Sequence, residues 1–190
     1  SRAYEDVALK FFEHFARVSS ALQTLWNDED GFFYSRVLKA DGSVLPVRER
    51  SMVGLLPVFA AVRLDATLWQ QLPGFRDGAR WFIDHKPELC GFMDHHPHDD
   101  GNGLIGLVDP QRLRRVLQRM LDEDEFLSPY GLRSLSRWHL EHPLEFSLDG
   151  QRGYLDYEPA ESRSGLFGGN SNWRGPVWFP LNYLAVESLR

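Results

Sequence analysis

The chain has 190 residues, 43% of them hydrophobic and 25% charged, which is the balance of an ordinary globular protein. That length suffices for one substantial core or for part of a larger molecule. A formal net charge of −6 and a pI near 5.6 exclude a nucleic-acid or anionic-membrane surface as the natural partner, because like charge repels both.

A neutral or weakly charged ligand is therefore expected. Cys90 is the one cysteine and cannot form an internal disulfide. No apolar run reaches the ~18 residues of a membrane span, and the first residues lack the basic-then-apolar order of a signal peptide. A cytoplasmic location is the expectation. The chain opens within a helical pattern and stops inside another, and so reads as a segment of a longer protein.

Tyr4, Ala8, Phe11, Phe15, Val18, Leu22 and Leu25 recur at helical spacing, widened by Val7, Phe12 and Trp26, and predict a helix from Tyr4 to Trp26. The acidic cluster from Asn27 to Gly31 ends it and reads as a solvated turn or, less simply, as a cation site. Residues 32–38 and 43–47, with Asp41-Gly42 between them, predict a hairpin. Ser51 is placed to cap a helix running to Val62 or Arg63, apolar on nearly all sides and kinked at Pro57 or starting near Leu56. Arg48, Glu49 and Arg50 concentrate charge at its mouth, as a site feature or as a structural ion-pair group. Residues 65–72 and 75–84 predict two shorter helices divided by Pro73-Gly74.

The run from Asp94 to Gly101 holds three histidines and three aspartates, which supplies metal-ligand chemistry. Pro97 and the nearby glycines give it no rigid element to fix ligand geometry, and no spaced ligand motif is present, so no metal is expected. Asp109-Pro110 is an N-cap followed by proline at the first helical position, with Leu113, Val116, Leu117, Met120 and Leu121 as the apolar face. A loop then presents Tyr130, Arg133 and several hydroxyls, and residues 146–155 predict a hairpin turning at Asp149-Gly150.

The stretch from Gly165 to Leu184 has the look of a site. Four glycines and three small polar residues let backbone N–H groups approach a ligand. Trp173 and Trp178 offer flat apolar faces with one donor each, and Arg174 a rigid five-donor fork. Flat faces with directional donors suit a sugar ring. The alternative is that both tryptophans are core residues and Arg174 is a structural pair.

Tyr130-Gly131-Leu132-Arg133-Ser134-Leu135-Ser136 and Asn172-Trp173-Arg174-Gly175-Pro176-Val177-Trp178, continued by Asn182-Tyr183-Leu184, resemble two blocks of glycoside hydrolase family 63. Residues 25–34 resemble the helix end and hairpin of such glycosidases less specifically, and the resemblance runs from about residue 4 to 190. It implies a mostly α-helical segment of an (α/α)6 toroid with small β-hairpin decorations, one segment over residues 1–190. It further implies an inverting glycoside hydrolase acting on α-glucosides or α-mannosides, with no cofactor.

Inversion needs a protonated carboxylic acid at the leaving oxygen and a carboxylate holding water on the opposite face, roughly 6.5–9.5 Å apart. By the resemblance both lie outside this chain, so its catalytic residues are unassigned and the isolated segment is expected to be inactive or nearly so. Carried across residue by residue, it makes Tyr130, Arg133, Asn172, Trp173, Arg174 and Trp178 the substrate-binding residues. Asp156, Glu158 and Glu161 are the carboxylates within the chain to test, although Glu158 and Glu161 could instead pair with Arg163 or Arg174. Phe179-Pro180 stands where the eukaryotic form of the family has Ile-Asn, so eukaryotic specificity does not carry over.

The expected partners are an α-linked oligosaccharide or glycoside, and other copies of the chain through uncovered helix faces, with neither nucleic acid nor membrane. Two other classes compete. One is a non-catalytic carbohydrate-binding or interaction module. The other is a metal-dependent enzyme built on residues 94–100.

Overall fold

A computed structural model describes residues 2–91, 103–148, 150–160 and 174–190. In chain order its elements are α1 (Arg2–Gln23), β1 (Trp26–Asn27), β2 (Phe32–Phe33), β3 (Ser35–Leu38), β4 (Val44–Val47), a 3-10 turn (Met52–Leu55), α2 (Leu56–Phe59) and β5 (Ala61–Leu64). There follow α3 (Ala66–Gln71), α4 (Pro73–His85), α5 (Pro87–Cys90), β6 (Gly103–Gly106), α6 (Pro110–Met120), β7 (Leu127–Ser128) and β8 (Gly131–Leu132). A second 3-10 turn (Arg137–Leu140), β9 (Leu144–Leu148), β10 (Gln151–Leu155) and α7 (Phe179–Ser188) complete the order. Contacts divide the chain into two units, residues 1–24 with 60–113, and residues 25–59 with 114–190.

The first unit is built on α1. Its 22 residues bury Phe12 and Ala16 against Phe75, Ala79 and Phe82 of α4 and Cys90 of α5. The Phe12 ring meets Phe75 and Phe82 edge-on, each at 6.0 Å between centroids, the arrangement that brings a ring's positive edge to a negative face. Glu5 Oε2 accepts from the Phe75 N–H at 3.1 Å and so satisfies one free donor in the first turn of α4. Pro73 begins that helix at its first position, where a missing N–H costs nothing. Strands β5 and β6 pair antiparallel, Ala61 opposite Gly106 and Leu64 opposite Gly103. Asp109 caps α6 as expected, its Oδ1 accepting from the N–H groups of Gln111 and Arg112 at 2.9 and 3.0 Å.

Two elements depart from the sequence reading: the first helix, expected to reach Trp26, ends at Gln23 and leaves Trp26 in β1, and the expected second helix divides. The expected helix over 51–63 is a 3-10 turn and a single α-turn that stops at Phe59, and Val62 and Arg63 lie in β5. The strand's partner, β6, lies some 40 residues downstream, beyond the reach of any local pattern.

Among the described residues the second unit holds four two-stranded pairings, β1–β2, β3–β4, β7–β8 and β9–β10, and its buried side chains include Phe32, Met52, Leu55, Phe126, Leu135 and Leu155. Both expected hairpins form. Ser35 faces Val47 in β3–β4, where Gly42 takes φ 82° in the turn, and Leu148 faces Gln151 in β9–β10, where Gly150 takes φ 80°. A positive φ of this size is one a side chain would strain, which is why glycine occupies both turns. The α7 helix packs against α2.

Candidate functional site

Buried polar side chains concentrate in the second unit. Glu49, Arg50, Ser51, Glu125, Ser134, Ser136, His139, Asp156, Glu158 and Arg174 are all buried there, against Ser19 in the first unit. Charged groups leave water at a cost unless they are paired, so such a layer marks either a site or a structural network. They hang on four adjacent stretches of backbone. Met52 N–H donates to Ser134 O and Ser136 N–H to Arg50 O, each at 2.8 Å. Ser134 N–H in turn donates to Pro176 O at 3.0 Å, Arg133 and Val177 form a bridge, and Glu158 N–H donates to Arg174 O at 2.6 Å.

Arg174 is the centre of one half. It is 2% exposed, and its Nη1 donates to Asp156 Oδ1 at 2.7 Å and to Glu158 Oε2 at 2.9 Å, while Nη2 reaches Tyr154 O at 3.3 Å. Gly175 beside it takes φ 127° with its N–H donating to Ser134 Oγ at 3.0 Å, and a Cβ there would run into the Tyr157 ring, 2.7 Å from its Cδ2 and closer still to Cε2. Only glycine fits. Together, Arg174 and the Glu158 N–H bond fasten residue 158 to residue 174.

Glu125 is the centre of the other half. Its Oε1 accepts from Arg50 Nη1 at 2.7 Å and from Arg119 Nη1, and its Oε2 from Ser136 Oγ at 2.6 Å. The Arg50 guanidinium lies 3.9 Å from the Trp138 ring centroid, a cation–π contact. His139 Nε2 accepts the Arg50 N–H at 2.9 Å while Nδ1 donates to His142 O at 2.9 Å, so the ring is neutral with its proton on Nδ1. Burial, the main cause, holds its pKa below the ordinary value, and the nearby Arg50 charge acts in the same direction. Arg119 also donates to Asp30 O, and Arg115 to Asp28 O and Glu29 O, which pins the turn between β1 and β2.

The residues expected to contact a sugar fall into distinct places. Tyr130 is 88% exposed at the tip of the β7–β8 hairpin, where Ser128 Oγ accepts its N–H and donates to Gly131 O. Arg133 is partly buried, with Nε donating to the Tyr157 hydroxyl at 3.1 Å and Nη1 to Glu123 O and Glu125 O. Trp178 is half-buried at the N-cap of α7. Arg133 and Arg174 are thus brought to one polar layer, while Asn172, Trp173, Glu161, Arg163 and the 94–100 loop lie outside the described residues. Glu158 pairs with Arg174, one of the two partners its position allowed.

One residue of the charged triplet, Glu49, and three contributors that escaped the sequence reading, Glu125, His139 and Asn182, complete the set. Glu49 is 7% exposed, with one oxygen accepting from the Ser35 hydroxyl and Oε2 without a hydrogen-bond partner. Burial pushes its carboxyl above the usual range. Glu125 and His139 were missed because an acidic run and an Arg-Trp-His triplet look like surface. Charge directly against an apolar run was the available signal, and it pointed to Arg50 and Glu49. Asn182 is the third. Its Oδ1 accepts from Leu132 N–H at 2.6 Å, and its Nδ2 donates to Leu132 O at 3.1 Å and Trp178 O at 2.9 Å, clamping α7 to β8.

Among the described residues no group of three or more His, Cys, Asp or Glu is placed to hold a metal ion, and no helix is long and apolar enough to cross a membrane. Arg50, Arg119 and Arg174 and the carboxylates of Glu125, Asp156 and Glu158 close on one another as ion pairs.

Comparison with known proteins supports a glycoside hydrolase relationship. The chain is 34% identical over 88 residues, 45% of its length, to a probable mannosyl-oligosaccharide glucosidase of Schizosaccharomyces pombe, and 32% identical over 80 residues, 42% of its length, to a mannosyl-oligosaccharide glucosidase of Saccharomyces cerevisiae. It is also 42% identical, over 98% of its length, to an uncharacterized protein of Saccharomyces cerevisiae. The chain spans only 19% of that relative and 8% and 7% of the two glucosidases. No family model matches.

Proposed function

We propose that this chain is part of an inverting glycoside hydrolase acting on α-glucosides or α-mannosides, contributing sugar-binding loops to a toroidal catalytic domain. The partial likeness to two mannosyl-oligosaccharide glucosidases carries the reading. The geometry of the second unit supports it. Arg174, Asp156 and Glu158 form a fixed buried cluster on the stretches that flank residues 161–173 in sequence, and Tyr130 stands exposed on the β7–β8 hairpin. Tyr130, Arg133, Asn172, Trp173, Arg174 and Trp178 remain the proposed residues of the sugar site. Arg174 and Arg133 act through position rather than direct contact, since their guanidinium donors go to carboxylates, carbonyls and a phenol.

The test uses the longest natural chain containing these residues, assayed against α-glucosides and α-mannosides with product anomers followed by NMR. Inverted product from the long chain, with the 190-residue piece silent, is the expected result. Retained configuration, or no turnover of any α-glycoside, would refute it. A non-catalytic sugar-binding module is the second reading, favoured by the engagement of both Asp156 and Glu158 with Arg174. Saturable sugar binding without turnover in the long chain selects it.

A further inference from the structure

The backbone of Leu132 is satisfied by a side chain. Leu132 is buried and faces Leu127 in the β7–β8 hairpin, beside the Arg133 N–H that donates to Phe126 O at 2.9 Å. Its own N–H and carbonyl turn to the amide of Asn182, donating to Oδ1 at 2.6 Å and accepting from Nδ2 at 3.1 Å. A primary amide carries an acceptor and N–H donors like those of a peptide group, so Asn182 takes the place of a neighbouring strand. It does so where the main chain stops running alongside. Arg133 and Val177 form a bridge, but the next residue, Trp178, is the N-cap at which the chain turns into α7. Trp178 O accepts from the Asn182 N–H at 3.0 Å and from Asn182 Nδ2 at 2.9 Å. On the hairpin side the fit is close. Gly131 takes φ 130°, and a Cβ there would lie 2.6 Å from Asn182 Oδ1 and 3.1 Å from Val177 Cγ1, so a side chain at 131 displaces the amide.

We propose that Asn182 is a positioning residue of the sugar site, whose amide fixes the hairpin carrying Tyr130 and Arg133 against the turn carrying Trp178. This rests on the glycosidase reading. Both Nδ2 hydrogens are spent on Leu132 O and Trp178 O, which leaves the amide no donor for a sugar hydroxyl. Its effect on a sugar therefore runs through the residues it holds. Leu132 and Asn182 stand 50 residues apart in the chain, so nothing local keeps the two stretches at one spacing. The Arg133–Val177 bridge, with the Ser134 N–H bond to Pro176 O, fixes this junction on the side of residue 134. The three bonds of the Asn182 side chain fix it on the side of Tyr130. A binding constellation must be held within about 0.5 Å to work, and its holding residues need no contact with the ligand.

The experiment uses the longest natural chain containing these residues, with maltotriose and methyl α-mannoside as probes, and compares Asn182→Ala, Gly131→Ala and the two together. KM and kcat are read from turnover, or the dissociation constant and number of sites from calorimetry if the chain binds without turnover. Asn182→Ala should raise KM or the dissociation constant about tenfold while kcat changes less than about threefold, the pattern of lost binding rather than lost chemistry. A merely structural role gives the opposite split. A smaller folded fraction lowers the apparent kcat or the number of sites and leaves KM and the dissociation constant where they were. Gly131→Ala should reproduce the effect from the hairpin side, and the double variant should stay near tenfold instead of reaching about a hundredfold, because two routes to one junction do not multiply. If Asn182→Ala does not fold, Asn182→Asp, which keeps the acceptor for the Leu132 N–H and loses both donors, is read by the same split. An unchanged KM or dissociation constant, or effects that multiply in the double variant, overturns the proposal and leaves the glycosidase reading standing. Neither binding nor turnover of either sugar by the unaltered chain overturns both.

Discussion

Arg174 shows at the scale of one residue why a motif arginine need not touch the ligand. It lies between Asp156 and Glu158 at nearly zero exposure, so Arg174→Ala withdraws a buried guanidinium from two carboxylates. Breaking a buried pair from one side costs about 3–5 kcal/mol, and the urea midpoint should fall accordingly. Arg174→Lys should fall between, because an ammonium keeps the charge without the fork. A midpoint unchanged in Arg174→Ala would contradict the structural role.

Glu49 and His139 give opposite pH signatures. Burial raises Glu49 above its ordinary 4.5, so its contribution to stability is complete below that value and is lost as pH rises through the folded pKa. Burial depresses His139 below 6.5, so its contribution is present above that value and is lost as pH falls through the folded pKa. Glu49→Gln keeps an acceptor for the Ser35 hydroxyl and removes the ionisation. It should therefore raise the melting temperature more at pH 8 than at pH 4, and melting curves across that range read the difference directly. A gain that grows toward acid would refute the assignment.

Among elements, the 3-10 turn at Met52–Leu55 is closely packed against β2. A Cβ on Gly54 would lie 2.5 Å from Phe33 O and against the Phe32 ring, both on β2. Gly54→Ala should cost about 1–3 kcal/mol through overpacking, measured by chemical denaturation. A stabilised variant would mean that β2 has room to move. Local signals predicted α1, α4, the Asp109 cap and both glycine-turned hairpins, because each depends on side-chain period or turn chemistry within a few residues. The same signals overran α2, since an all-apolar run reads as a buried helix whether or not part of it finds a strand partner in β6.

For the molecule as a whole, each unit leaves an apolar face open. In the first unit α1 exposes Tyr4, Val7, Phe11 and Val18 along one stripe, opposite the face that buries Phe12 and Ala16. In the second, α7 exposes Leu184, Val186 and Leu189. Contiguous apolar surface favours association, so the 190-residue chain should self-associate with rising concentration. The association should persist in 1 M salt, where screening removes charge–charge attraction beyond about 3 Å. Light scattering across a concentration series is the measurement, and a monodisperse monomer throughout would refute the expectation.

By itself the sequence determined the helical periods, the capped and glycine-turned junctions, and the stretches in which arginine, tryptophan and tyrosine gather. These depend on neighbours in the chain, and periodicity records them. The tertiary structure alone decided that Arg174 is buried between Asp156 and Glu158, that Arg50 and Arg119 share Glu125, and that Asn182 joins α7 to β8. Those pairings close over 16 to 75 residues of chain, apart from Arg119 with Glu125, and the charge of a residue carries no record of which distant opposite charge will neutralise it once water is excluded.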